Sequence, residues 1–239
     1  MFVKIVVILL LLIVAASLLV QRGVTPARPA RSNLRPLMLR MAFVLLGIAV
    51  GAALVHFLSG CAPAPERQFH AQDVSGADYG RLELLDGFIT HTGSRFASAD
   101  FRNKIIVVFF GYTHCPDFCP TTLANMKGVM RLLGPQAERV QVLFVSVDPE
   151  RDTAARLADY VPQFDPRFLG LTADPETTRK TAQGFRVIYR KVGEGAAYGI
   201  DHTTDSFAYD PHGRLRLKIP HGMTAKQISE DLSKLLAGQ

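Results

Sequence analysis

Lys104-Ile-Ile-Val-Val-Phe-Phe-Gly-Tyr-Thr-His-Cys-Pro-Asp-Phe-Cys-Pro120 is the stretch that decides the fold. Its first half, Lys104 to Gly111, is a continuous apolar run, the pattern of a strand buried on both faces of a layered sheet. Its second half puts two cysteines where that strand ends, and in open α/β sheets ligands gather at the carboxyl ends of strands. Pro120 suits the first turn of a helix, which predicts Cys119 at the helix cap and Cys115 in the loop before it. Free backbone N–H groups and the positive end of the helix dipole favour thiolates there, the form that binds metal or attacks disulfides. A purely structural disulfide is disfavoured, because bridging so short a loop adds little chain-entropy stabilisation.

On both sides of this stretch the pattern alternates. Pro120 to Leu133 has helical spacing, Val140 to Val147 reads as a second buried strand, and Thr153 to Tyr160 as a helix opened by Asp152 as its cap. Phe168 to Leu171 reads as a strand, Pro175 to Gly184 as a helix and Phe185 to Lys191 as a strand. Ser206 to Asp210 and Arg214 to Ile219 form a predicted hairpin around Pro211-His212-Gly213, and Thr224 to Leu236 a final helix. Upstream, Leu82 to Leu85 and Phe88 to Thr92 look like a short hairpin. Strand, helix, strand, helix, then two strands and a helix is the order of thioredoxin, so the expected fold is α/β, a thioredoxin-like mixed sheet flanked by helices. The domain is expected over residues 81–239, after a Pro-containing linker over 61–80.

The chain has 239 residues, and 48% hydrophobic content against 20% charge excludes a disordered protein. A formal charge of +6 suggests a nucleic-acid binder, but its distribution argues otherwise. Residues 1–60 hold six basic side chains and no acidic one, while the rest of the chain carries 21 of each sign. No nucleic-acid partner is therefore expected. The basic leader reads as membrane, with uncharged apolar segments over about 5–20 and 41–58, each with its flanks near the length needed to cross a hydrocarbon core of about 30 Å. Arg22, Arg28, Arg31, Arg35 and Arg40 lie between them and place the loop 21–40 on the cytoplasmic side. Everything after about residue 60 is expected outside, with the chain in the inner membrane of a cell and its domain facing the periplasm. Leu58-Ser-Gly-Cys61 resembles the lipobox of bacterial lipoproteins, which makes Cys61 a candidate for lipidation.

Two thiolates make an incomplete metal site, and any of seven histidines could complete it. His202 precedes the predicted terminal hairpin, where a thioredoxin-like fold brings a loop across from the helix start. His114 adjoins Cys115, but neighbouring side chains on an extended strand end point to opposite sides. His70, His91, His212 and His221 fall in linker or turn contexts, and His56 in the membrane segment. Two soft thiolates and one imidazole, with no fourth ligand evident, suit Cu(I) better than four-coordinate Zn(II).

Gly111-Tyr-Thr-His-Cys-Pro-Asp-Phe-Cys-Pro-Thr-Thr-Leu123, Phe144-Val-Ser-Val-Asp-Pro-Glu-Arg-Asp-Thr153, Gly170-Leu-Thr172 and Asp201-His202 together resemble the Sco/SenC family of copper-binding proteins, which help assemble cytochrome c oxidase. The resemblance covers roughly residues 82–236. It implies one copper ion per chain, held by Cys115, Cys119 and His202; Cu(I) is the expected state, and the sequence leaves open whether Cu(II) is also bound. It also implies oxidase subunit II and other copper chaperones as partners. Asp148 is expected either to border the copper site and help dock a partner, or to turn the chain. Asp201 is expected either to orient His202 or to serve as a turn residue. The chain departs from the family pattern in the polar Thr203-Thr204-Asp205 after the histidine, in Thr92-Gly93-Ser94 near the domain start, and in its two-segment leader.

Two functions fit these residues: a membrane-tethered copper chaperone, and an extracytoplasmic thiol-disulfide oxidoreductase that uses Cys115 and Cys119 as a redox pair. The CxxxC spacing and a distal histidine favour the chaperone. A thiol peroxidase of the glutathione-peroxidase type is disfavoured because it uses a Trp beside its reactive Cys, and the chain has none.

Overall fold

A computed structural model describes residues 41–52 and 68–238. The chain divides into two units, residues 1–66 and 67–239. In the first, residues 41–52 are helical, with exposed apolar side chains that include Phe43 and Leu46. Among the described residues no helix is long and apolar enough to cross a membrane. The expected segment 5–20, the remainder of 41–58, the loop 21–40 and Cys61 lie outside the described residues.

The second unit is built around two strands with no exposed residue, β3 (Ile105–Gly111) and β4 (Val140–Ser146), paired in parallel with Ile105 opposite Val140. Two adjacent strands buried along their whole length need cover on both faces, which accounts for apolar runs in place of alternation. On the far side of β4 lies β5 (Leu169–Thr172), parallel to it, followed by β2 (Ile89–Thr90), antiparallel. On the other side of β3 lie β8 (Ser206–Tyr209), β9 (Leu215–Ile219) and β1 (Gln72–Asp73), each antiparallel to its neighbour. The sheet order is β1-β9-β8-β3-β4-β5-β2. A separate two-stranded ribbon joins β6 (Tyr189–Val192) to β7 (Gly199–His202).

Four helices accompany the sheet. Helix α1 (Phe118–Leu133) buries Cys119, Leu123, Met126, Met130 and Leu133 at helical spacing. Helix α2 (Ala154–Tyr160) packs against β5, where Gly170 permits the approach: a Cβ there would lie 3.1 Å from that of Leu157. Helix α3 (Pro175–Gly184) is capped by Asp174, and α4 (Ala225–Leu236) by a reciprocal Thr224–Gln227 capping box. Helix α4 packs on α1 and also touches β3. This is a mixed thioredoxin-like α/β fold, as the order of elements predicts.

Four local expectations are corrected. Leu82–Leu85 is a 3-10 turn and not a hairpin arm, because two buried leucines three residues apart satisfy a helical turn. The strand partner of β2 is β5. Helix α2 is capped by Thr153, whose hydroxyl accepts the Arg156 N–H, while Asp152 turns inward. Over Phe185–Lys191 the strand starts only at Tyr189, since Arg186 is left-handed with φ +57°. Strand β1 also lies in a stretch read as linker, with Phe69 and Ala71 buried beside it.

Candidate metal centre

The sulfurs of Cys115 and Cys119 and a ring nitrogen of His202 all lie within 4.8 Å of one another, beyond the carboxyl end of β3. After β3 the chain turns at Tyr112, whose carbonyl accepts the Cys115 N–H at 3.2 Å. Asp117 holds the cap position of α1 without a side-chain cap bond. The sulfur of Cys115 takes up that role, accepting the Cys119 N–H at 3.4 Å. Cys119 therefore sits one residue inside the helix, not at its cap. Both thiols are free, with Cys115 half-buried and Cys119 fully buried. Gly111 makes room for the buried sulfur, because a Cβ there would lie 2.8 Å from Cys119 Sγ and from Phe144 Cε2.

The two thiols have opposite proton affinities. The Cys119 thiol beside Cys115, with backbone N–H groups of Cys119 and Asp117, brings the Cys115 pKa down to about 5 against the opposing effect of burial. Cys119 is pushed well above the ordinary thiol range by its bond to the Cys115 sulfur and by burial. At neutral pH the pair holds one proton, on Cys119.

His202 ends β7. Its Nδ1 lies 2.9 Å from the Thr203 carbonyl, and since a carbonyl only accepts, that nitrogen carries the proton. The lone pair is thereby left on Nε2, which is 3.5 Å from Cys119 Sγ. The rings of Phe109 and Tyr112 meet the imidazole edge-on, at 6.3 and 5.9 Å between centroids.

The two carboxylates singled out in the sequence lie elsewhere. Asp148 follows β4, has no exposed side-chain surface and is bound to Arg151 at 2.5 Å and to the Tyr198 hydroxyl at 2.6 Å. Asp201 pairs with Arg190 at 3.3 Å on the exposed face of β7, and the bond that orients His202 comes from Thr203. Asp152, buried, accepts from the Thr113 N–H and hydroxyl and from the Ser146 hydroxyl, tying the ends of β3 and β4 together. Burial raises its pKa.

The other described histidines do not join the thiols. His114 is exposed, near Asp148 and Asp152. His91 Nδ1 accepts the Gly170 N–H, His70 pairs with Glu230, and the His221 ring meets Phe118 at 4.9 Å. Tyr112, whose ring meets His202, and Arg151 and Tyr198, which pack on each other, were missed in the sequence, where nothing marks these contacts. Two large apolar side chains close to the residues of the centre in the chain or the ribbon pairing are exposed: Phe118, 47% exposed and next to Cys119, and Ile188, 78% exposed and paired through its backbone with Thr203.

A thioredoxin-like domain with two thiols and an imidazole in one cluster narrows the class to proteins that combine that fold with a Cys-Cys-His centre. The chain belongs to the SCO1/SenC family, whose model matches residues 87–237. It is 37% identical over 162 residues to the mitochondrial protein SCO2 homolog of Bos taurus, covering 66% of this chain and 59% of that one. The chain thus matches about three fifths of the length of this curated relative. The structure of Bradyrhizobium japonicum ScoI with copper bound is similar with a TM-score of 0.60 at 34% identity, covering 66% of this chain and 99% of that one. Arabidopsis thaliana ScoI with copper bound gives 0.62 at 28% identity, covering 68% and 100%.

Proposed function

We propose that this protein is a copper chaperone: it carries one Cu(I) on Cys115, Cys119 and His202 and supports maturation of the dinuclear CuA centre in subunit II of cytochrome c oxidase. The observation that carries this reading is the convergence of two thiol sulfurs and an imidazole nitrogen within 4.8 Å in a member of the SCO1/SenC family. Soft sulfur donors and an imidazole suit Cu(I). The chain's own residues prepare the binding. Cys115 is already a thiolate at neutral pH, Thr203 holds the Nε2 lone pair of His202 available, and Cys119 releases the pair's single proton as the ion enters. Cargo leaves by stepwise exchange to the acceptor's own sulfur and nitrogen ligands, and Ile188 and Phe118 offer that acceptor apolar contact. Cu(II) binding and exchange with other copper chaperones belong to the same proposal.

Two apolar leader segments flanking an Arg-rich loop support a tether in a cell inner membrane with the domain in the periplasm, and Cys61 supports lipidation as a second anchor. A reporter fused after Cys61 is expected to be active only outside the cytoplasm; cytoplasmic activity would contradict the tether. Labelled palmitate is expected in the wild type and not in Cys61→Ser.

One observation favours a second reading, thiol-disulfide exchange that keeps the acceptor's cysteines reduced. A half-exposed Cys115 of low pKa next to a protonated, buried Cys119 is an attacking thiolate beside a resolving thiol. Oxidase assembly in cells separates the two. Under copper delivery, His202→Ala abolishes assembly as completely as Cys115→Ser; under reduction alone, His202→Ala assembles normally.

A further inference from the structure

His202 belongs to the two-stranded ribbon, which stands outside the seven-stranded sheet whose strand β3 leads into the cysteine loop. The ribbon has four paired positions, Tyr189 with His202 through Val192 with Gly199, and Arg190, Lys191, Val192 and Asp201 are exposed. An isolated two-stranded ribbon is marginal in water. Something must therefore fix it against the domain for Nε2 to stay 3.5 Å from Cys119 Sγ.

The fixing contacts converge just before β7. The Tyr198 hydroxyl donates to Asp148 Oδ1 at 2.6 Å, and Arg151 Nε donates to Asp148 Oδ2 at 2.5 Å. Arg151 Nη1 then donates to the Tyr198 carbonyl at 2.9 Å, and its guanidinium lies 3.6 Å from the centre of the Tyr198 ring. Two residues on, the Ile200 N–H donates to the Tyr112 hydroxyl at 3.1 Å. Tyr112 is the link between the cysteine loop and the imidazole it touches edge-on.

We infer that Asp148, Arg151 and Tyr198 form a clasp that positions His202 for the metal centre by fastening the β6–β7 ribbon to the end of β4. This rests on the reading of Cys115, Cys119 and His202 as one metal site. Asp148 has no exposed side-chain surface, so it acts within the protein and not on a partner. Its carboxylate is the hub, since one oxygen faces the ribbon through Tyr198 and the other faces Arg151, which returns to the ribbon backbone. A bare chain turn after β4 needs neither the tyrosine nor the return contact.

Coupling to His202 is the property that separates a clasp from a general packing role. Asp148→Asn and Tyr198→Phe are compared in two backgrounds, wild type and His202→Ala, by Cu(I) competition titration of the reduced full chain. Residues that orient a metal ligand without touching the metal alter affinity by about 10- to 100-fold. A loss of that size is expected in the wild-type background and none in the His202→Ala background. Equal losses in both backgrounds would overturn the clasp, as would no loss in either. Hydrogen exchange of the metal-free chain decides the same point without copper. Either substitution should speed exchange of the Ile200 and Thr203 amides while leaving β3 and β4 protected. Unchanged ribbon amides, or acceleration spread evenly over the domain, would count against the clasp. If the wild type binds no Cu(I), the metal reading fails on its own and the exchange data still decide the clasp.

Discussion

Cys115 and Cys119 hold their shared proton unequally, and that asymmetry sets their order of action. The lowered pKa of Cys115, due first to the neighbouring Cys119 thiol, keeps it nucleophilic far below the ordinary thiol value of 9.0. Alkylation of the reduced, metal-free protein should therefore modify Cys115 alone, with a rate that stays level as pH falls and halves near about 5. A midpoint near 9, or equal labelling of Cys119, would contradict the shared proton. The linked stability follows in sign. Ionisation of Cys115 stabilises the fold above the unfolded thiol's pKa, and that contribution is lost as pH falls through about 5. Cys119, held protonated, contributes stability that is lost as pH rises past the unfolded value. These two residues were legible in the sequence, since their spacing, the preceding apolar run and Pro120 all point to one loop before a helix. His202 was not legible from the residues alone. Its place before the terminal hairpin made it one candidate among seven histidines, and the Asp201-His202 motif decided the choice, because its approach depends on β7, which no local pattern announces.

At the scale of elements, the long buried strands and amphipathic helices were the readable part. β3 and β4 are buried throughout and, but for Gln141 and Ser146, lack polar side chains because both faces are covered, and α1 and α4 show their buried stripes plainly. Strand β6 was anticipated within Phe185–Lys191, whereas its partner β7 escaped notice because only Ile200 in it is buried, so it has no alternation to detect. The 3-10 turn at Leu82–Leu85 was misread because Leu82 and Leu84 are spaced as on one face of a strand, while the buried pair, Leu82 and Leu85, is spaced as on a helical turn. The junction of β3 and α1 carries a prediction of its own. Gly111→Ala would put a methyl group 2.8 Å from Cys119 Sγ and from Phe144 Cε2 in a close-packed interior. Overpacking of this kind costs about 1–3 kcal/mol. Denaturant unfolding should show that loss, together with weaker Cu(I) binding as the sulfur shifts. Full stability with full affinity would mean that the junction tolerates movement.

For the molecule as a whole, the chain entering the domain is fastened to its last helix. Asp231 of α4, fully buried, accepts the His70 and Ala71 N–H groups at 2.9 and 2.7 Å, and Lys234 donates to the Gln68 carbonyl. The start and end of the domain thus meet at one place, which a stretch read as linker did not reveal. Asp231→Ala would leave two backbone donors without their acceptor, at a cost of about 1–3 kcal/mol for each group left buried. The unfolding midpoint should fall while Cu(I) affinity stays unchanged, since the metal centre is built by other elements. A loss of affinity would show that this fastening reaches the centre. Whether two thiols and one imidazole form a single Cu(I) site is decided by competition titration of the reduced protein against a chromophoric Cu(I) chelator, alongside His202→Ala. One tightly held equivalent is expected in the wild type, and a marked weakening in the variant. Weak binding, or binding indifferent to His202, would contradict it and leave thiol-disulfide exchange as the function of Cys115 and Cys119.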